Sequence, residues 1–360
     1  MVASQGSCAG VAVWYDEWQC SVRILRNCNG IVCWSGDLPG EKMGKKLRIA
    51  LIAGGKSGER EVSLSGAAGV ERALDPQKFE VVRYDAATDL GKIVADADNI
   101  DFAFILLHGL LGEDGTVQGF LELLEIPYQG SGVLGSAIAM NKHLAKELYR
   151  LHNLPVADWL ILDRETEPDI TGIVAQFGLP VVIKPVQEGS SLGLTLAQSE
   201  DDLVAGIARA LTHDREIMVE RYIRGRELTV GVLGNQDVVG LPVIEIIPGE
   251  GHSFFDYDAK YKPGATKEVC PAEIDTALTA KVQEYGVAAH RALRLRGYSR
   301  TDMMLAGDGQ LYLLETNTIP GMTPTSLMPQ AAAAYGLPFP ALLEKLIALG
   351  MEDHQKGSSM

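Results

Sequence analysis

YSRTDMMLAGDGQLYLLETNTIPG, residues 298–321, reads as two strands joined by a tight turn. Asp308-Gly309 is the dipeptide of a two-residue type I′ hairpin turn. A turn there sets Asp302 opposite Glu315, and opposed side chains share a face. Asn317 lies two residues beyond Glu315, so strand alternation returns it to that face. Leu311, Leu313 and Met304 continue the face as an apolar layer. Two carboxylates and an amide oxygen thus converge at the open end of the hairpin. Like charges held face to face repel unless something positive lies between them. An all-oxygen set without thiol or imidazole suits Mg²⁺, whose remaining ligands are waters and phosphate oxygens. Taken alone, the stretch is equally readable as an exposed hairpin with ordinary surface acids.

Outward from the hairpin, the chain is 360 residues long, enough for two or three domains and a large core. Its formal net charge is −15 and no basic cluster stands out, which argues against a nucleic-acid or anionic-membrane surface. No apolar run reaches the ~18 residues that a membrane span needs. The N-terminus lacks the basic start and unbroken apolar stretch of a secretion signal. Four of the five cysteines (Cys8, Cys20, Cys28 and Cys33) and three of the four tryptophans fall in the first 34 residues. No C-x-x-C pair occurs, so zinc is a weak reading, and the odd count favours free thiols. Residues 1–43 therefore read as an unassigned appendage, consistent with an over-extended translation start; the mass of the native N-terminus tests this.

Leu47–Ala53 is a short apolar run ending at Gly54-Gly55, as a buried parallel strand should. The loop after it contains Gly55-Lys56-Ser57, but a Walker A loop needs glycine at position 50, where Ala50 stands. Glu59 and Glu61 flank the next helix start, where the dipole favours acids, so capping is one reading of Glu59. Phe79–Tyr84, Phe102–Leu107 and a short Ile126–Tyr128 read as further strands of a doubly wound α/β unit. Such units bind ligands at the carboxyl ends of their strands, where His108 falls, as a site residue or a polar loop residue. Ser136–His152 reads as one helix carrying Lys142. Lys184 interrupts the apolar strand Pro180–Pro185 and is costly to bury unless it meets an anion. QEGSSLG (187–193) follows, either a backbone cradle for phosphate or an ordinary turn. Glu216–Tyr222 and Arg226–Leu233 read as strands around a short hinge. Phe254–Thr266 is a polar-aromatic loop of the kind that forms lids, and Lys260, Tyr261 and Lys262 in it can close on an anion. Ile274–Arg296 and Pro338–Gly350 read as helices.

Six segments together resemble the D-alanine–D-alanine ligase family of the ATP-grasp superfamily. They are GGKSGEREVSLSG (54–66), LHGLLGEDGTVQG (107–119), YQGSGVLGSAIAMNK (128–142), VIKPVQEGSSLG (182–193), FDYDAKY (255–261) and LLETNTIPGMTPTSL (313–327). Any one alone is weak; all six in this order are specific. The resemblance implies a doubly wound substrate-binding domain (44–138), a small central domain (139–224) and a catalytic domain (225–350). The last two form a two-part ATP-grasp unit of mixed and antiparallel sheets, and 351–360 is a tail. It implies ATP as co-substrate and two Mg²⁺ ions, with Mn²⁺ an alternative, held by Asp302, Glu315 and Asn317. Lys142, Lys184 and Lys260 are implied phosphate contacts. Glu220 and Ile223 are implied adenine contacts through the backbone, and Glu227 a ribose contact. Glu59, with His108 nearby, is implied to take the first D-alanine, and Ser326 and Leu327 the carboxylate of the second. Glu59, Ser190 and Tyr261 form an implied hydrogen-bonded set. Arg300 and the N–H of Gly321 are implied to stabilise the tetrahedral intermediate.

The family's chemistry implies an acyl phosphate that the second amine attacks. It also implies a homodimer in the cytoplasm serving peptidoglycan precursor synthesis, without nucleic-acid or membrane partners. Phe255 stands where relatives commonly have a hydroxylated aromatic, and Thr301 where an aliphatic residue is usual; neither removes a charge the mechanism needs. Relatives that make an ester with D-lactate have lost the lid tyrosine, so Tyr261 favours the dipeptide. Tyr261→Phe is expected to gain ester-forming activity, read as the product ratio. The competing readings are an ATP-grasp ligase for another amino or hydroxy acid, and a nucleotide-binding protein without catalysis.

Overall fold

The computed structural model describes residues 25–26, 32–33, 45–190, 192–249 and 266–357. Residues 1–45 and 46–360 are separate compact units. In the first, Leu25–Arg26 pairs antiparallel with Val32–Cys33. Within the second, three sheets are built in chain order.

The first sheet is parallel, with Leu47–Ala53 between Phe79–Asp85 and Phe102–Ile105. Ala50, Ile52, Ala103 and Ile105 face one core, and the alternating Ile49, Leu51, Phe102 and Phe104 are also fully buried. Both faces of residues 49–53 and of Phe102–Ile105 are covered, which is why these two stretches read as unbroken apolar runs, whereas Phe79–Asp85 exposes Glu80 and Arg83. The strand expected at Ile126–Tyr128 shrinks to one bridge between Tyr128 and Ala103. The terminal helix, expected over 338–350, runs Phe339–Gly357 and packs back on the Phe102–Ile105 strand. A side chain at Gly350 would strike the carbonyl of Tyr128 and the ring of Phe102, so only glycine permits that approach.

The second sheet is antiparallel, in the order Trp159–Asp163, Glu216–Arg221, Val181–Pro185, Thr195–Ala197. Ile183, Val181, Ile217 and Val219 pack against helices Ile170–Phe177 and Glu200–Ala210. Ser199 and Asp202 close a capping box on the latter helix.

The third sheet is also antiparallel. Its order is Thr266–Val269, Ile244–Pro248, Gly225–Leu233, Tyr298–Ala306, Leu311–Asn317, with Val239–Gly240 paired to Gly225–Leu233 outside that path. Its core face meets helices Thr276–Ala292 and Lys142–Leu151. The segment expected as one helix from Ser136 is two, Val133–Met140 and Lys142–Leu151. They break at Asn141, whose extended backbone and side chain cap the second helix through the Leu144 N–H at 3.0 Å.

The hairpin differs from its sequence reading in a way that cancels. Leu305 pairs with Leu311, and Ala306 N–H donates to Gln310 O at 2.9 Å, so the loop is the three residues Gly307–Gly309. Gly309, at φ +83°, supplies the left-handed position such a loop needs. This shifts the register by one residue. A bulge at Leu314, between Met303–Leu313 and Asp302–Glu315, shifts it back. Asp302 therefore does oppose Glu315. Leu311 and Leu313, expected on the acidic face, lie instead with Met303 and Leu305 in the opposite core. The apolar neighbours of the acids are Met304 and the bulged Leu314.

Candidate active site

Asp302 is 4% exposed and fully engaged. Arg300 donates to its two oxygens at 2.9 and 2.8 Å, Thr229 Oγ1 donates at 2.5 Å, and Asn317 Nδ2 at 3.2 Å. Strand alternation explains the set: Arg300 is two residues from Asp302, and Thr229 is its cross-strand partner. Glu315 stands beside it, 3.9 Å from Lys142 Nζ. Among the described residues no group of three or more His, Cys, Asp or Glu gathers for a metal. The hairpin mouth is a set of two carboxylates and one amide, all hard oxygen donors. That set fits an ion such as Mg²⁺, which keeps most of its ligands from water and phosphate.

Lys142, Lys184, Glu220, Ile223, Glu227, Asp302 and Glu315 all line one cavity of about 300 Å³. Its other walls are largely apolar, including Val182, Leu196, Met304 and Leu314. The size and lining are those of a small-molecule site. Lys142 is the first residue of its helix, and its Nζ donates to the Glu188 carbonyl. Lys184 meets an anion within the protein: its Nζ lies 2.7 Å from Glu220 Oε2. Lys146 Nζ lies 2.5 Å from the other Glu220 oxygen. Burial alone would push the Glu220 carboxyl up, but Lys146 and Lys184 outweigh it and hold it below its ordinary value.

A second, small cavity of about 30 Å³ shares Lys142 and Glu315 with the first and adds Glu113, Gly189 and Asn317. Beyond Gly189 lies Glu59. It precedes helix Arg60–Ala73 but makes no side-chain cap, contrary to the capping reading. Its carboxylate instead accepts from Ser190 Oγ, 131 residues away. Ser190 holds a left-handed backbone at φ +49°, a conformation that costs a non-glycine residue energy and is concentrated at functional sites. A side chain at Gly189 would come within 3.2 Å of Glu59, so this loop lies tight on the carboxylate. His108 is buried nearby and its imidazole is pushed down by burial, against the opposing pull of Glu59 and of its hydrogen bond to the Ile319 backbone. Gly321 lies against Ser326, the residue that opens helix Leu327–Ala334. Ser326 Oγ accepts from Thr323 N at 3.1 Å. Lys260 and Tyr261, like Phe255, lie outside the described residues.

The family profile described as D-ala D-ala ligase C-terminus matches residues 148–348, and that for the N-terminus matches 86–131. A D-alanine–D-alanine ligase of Desulfotalea psychrophila is 60% identical over 317 residues, which are 87% of this chain and 97% of that protein. This chain belongs to the D-alanine–D-alanine ligase family. In solved structures, the Bacillus anthracis member complexed with ATP superposes with a TM-score of 0.76 at 33% identity, covering 86% of this chain and 99% of that one. The VanG D-Ala:D-Ser ligase of Enterococcus faecalis gives 0.74 at 33%, over 85% and 100%. Among the described residues no single helix is long and apolar enough to cross a membrane.

Two residues of this family member escaped the sequence reading. Lys146 is fully buried, yet the buried stripe of its helix is Lys142, Ala145, Lys146 and Tyr149. That i, i+3, i+4, i+7 pattern puts two lysines on the inward face, and the spacing was there to be read. Glu113 accepts from Gly109 N at 2.8 Å and Ile319 N at 3.3 Å. Enclosure of its carboxyl, with the Glu59 charge adding, pushes it up to about 8. Its only local signal was its place in the LHGLLGEDGTVQG segment.

Proposed function

We propose that this protein joins two D-alanines into D-alanyl-D-alanine with cleavage of ATP, in the cytoplasm and as a homodimer, for peptidoglycan precursor synthesis. The observation that carries the reading is the meeting of Lys142, Lys184, Asp302 and Glu315 around one cavity. Residues 139–224 and 225–350 clasp the nucleotide, and residues 44–138 present the first substrate.

A carboxylate is a poor electrophile, so the first D-alanine is converted to an acyl phosphate by the γ-phosphoryl group. Both reactants are anionic, and catalysis of such transfers is mainly positioning and charge compensation. Lys142 and Lys184, with Lys260 from the lid, bring positive charge to the phosphates. Two Mg²⁺ ions, or Mn²⁺, held by Asp302, Glu315 and Asn317 supply the rest of that compensation. Ile223 and the Glu220 backbone receive adenine, and Glu227 the ribose. Glu59 takes the ammonium of the first D-alanine; Ser190 and Tyr261 hold Glu59 in place, and His108 borders it. The second D-alanine binds by its carboxylate at Ser326 and Leu327, where a helix start offers N–H groups. Its amine attacks the acyl carbon, a tetrahedral oxyanion forms, and phosphate leaves. Arg300 and the Gly321 N–H face that oxyanion. Exclusion of water protects the acyl phosphate, which gives the lid its purpose.

The similarity to a D-Ala:D-Ser ligase at 33% identity keeps a second reading in view, in which the second substrate differs. ADP release with ATP, Mg²⁺ and D-alanine, alone and with D-serine added, with the product identified by mass, tests both. D-alanine-dependent ADP formation with the dipeptide mass is expected; ATP binding without turnover counts against the ligase reading.

A further inference from the structure

We propose that Lys146 is a positioning residue for the nucleotide: it holds the Glu220 carboxylate so that Lys184 keeps an uncompensated positive charge facing the cavity. The inference rests on the ATP reading above and deepens it.

Lys184 and Glu220 line the cavity; Lys146 is not among its lining residues. Its side chain is fully enclosed. The Nζ sits 2.5 Å from Glu220 Oε1, donates to the Leu313 carbonyl at 3.2 Å, and lies 5.7 Å from the centre of the Trp159 ring. Lys146 therefore touches no ligand directly, and its ion-pair partner on the cavity wall is Glu220.

Charge accounting shows what that does. Glu220 has one oxygen on each lysine, at 2.5 and 2.7 Å. Two ammonium groups and one carboxylate leave one net positive charge, and the lysine at the cavity wall is Lys184. Without Lys146, Glu220 and Lys184 form a neutral pair, and at that wall of the cavity a phosphate meets a dipole rather than a charge, with Lys142 the remaining lysine. In low-dielectric surroundings that difference is large. Burial and, less strongly, the neighbouring Lys184 charge hold the Lys146 ammonium below its ordinary value, against the opposing pull of Glu220.

The test uses the full chain and two substitutions, K146M and K146M/E220Q. Nucleotide affinity is read by calorimetry with ATP and Mg²⁺, KM for each substrate by ADP release, and folding by thermal melting. In K146M the nucleotide Kd is expected to weaken about tenfold while the D-alanine KM stays within about twofold. In K146M/E220Q the affinity is expected to recover to within about threefold of wild type, because Lys184 regains its free charge. K146Q keeps a donor toward Glu220 while removing the charge, and gives the same readout should K146M not fold. Unchanged nucleotide affinity in a folded Lys146 variant, a D-alanine KM that moves in step, or no recovery in the double variant overturns the proposal. A wild-type chain that binds nucleotide but forms no ADP with D-alanine defeats the ligase reading alone, since the calorimetric comparison still decides Lys146.

Discussion

Asp302 and Glu220 are both nearly buried carboxylates on one cavity, and they are held in opposite ways. Asp302 is held by Arg300, Asn317 and Thr229. In the proposed reaction Arg300 and Asn317 have other work, one at the oxyanion and one on the metal. Glu220 is held by Lys146, which lies off the cavity wall, and by Lys184. The first carboxylate is masked by partners that can leave; the second is pinned by one that does not. A buried charge must be compensated in either case. What differs is whether the compensation is exchangeable, and in the proposed reaction that difference separates a ligand for a mobile cation from a fixed part of the nucleotide wall.

The largest effect should come from breaking the exchangeable side outright. Asp302→Asn is expected to lower kcat by about a thousandfold or more, as loss of a group that organises charge in phosphoryl transfer does. ADP release in saturating Mg²⁺ measures it. Substituting Arg300 separates masking from catalysis. Arg300→Met should lower kcat about a hundredfold through loss of oxyanion stabilisation. The same change unmasks Asp302, so the Mg²⁺ concentration for half-maximal activity should fall. If that concentration rises, Arg300 does not compete with the ion.

Glu113 offers a third, smaller contrast, a carboxylic acid kept neutral rather than paired. Its folded value of about 8 lies above the ordinary 4.5, so the native state keeps a proton that the unfolded chain releases. Its contribution to stability is complete below about pH 4.5 and is lost as pH rises through about 8. Glu113→Gln should therefore flatten the fall in melting temperature between those limits, by several degrees at pH 8.5, the shift from 4.5 to about 8 being equivalent to roughly 5 kcal/mol at most. Melting curves across that range check it.

How much was legible depended on how local the cause was. The convergence of Asp302, Glu315 and Asn317 is legible from turn register and strand alternation, although the loop is one residue longer than the two-residue turn that Asp308-Gly309 signals. The bulge at Leu314 restored the register, and neither shift is written in residue types that a single strand reveals. Leu311 and Leu313 were assigned to the wrong face for the same reason. Glu59 could be read locally only as a helix-start acid, because its partner Ser190 is brought to it by tertiary folding. Lys184 was read as a lysine needing an anion, but an internal Glu220 fills that need as well as a phosphate does. The helical break at Asn141 is signalled by a good capping residue, but the apolar spacing runs through it and reads as one helix.

The return of the last helix to the first sheet carries a consequence for synthesis. Leu342, Leu343, Leu346 and Ile347 are buried, and their helix packs on the Phe102–Ile105 strand. While a ribosome is still translating, that strand has its hydrogen bonds available but one flank bare. The earliest-made of the three sheets is thus covered late, and a nascent chain must keep Phe102 and Phe104 from other partners until helix Phe339–Gly357 has been made.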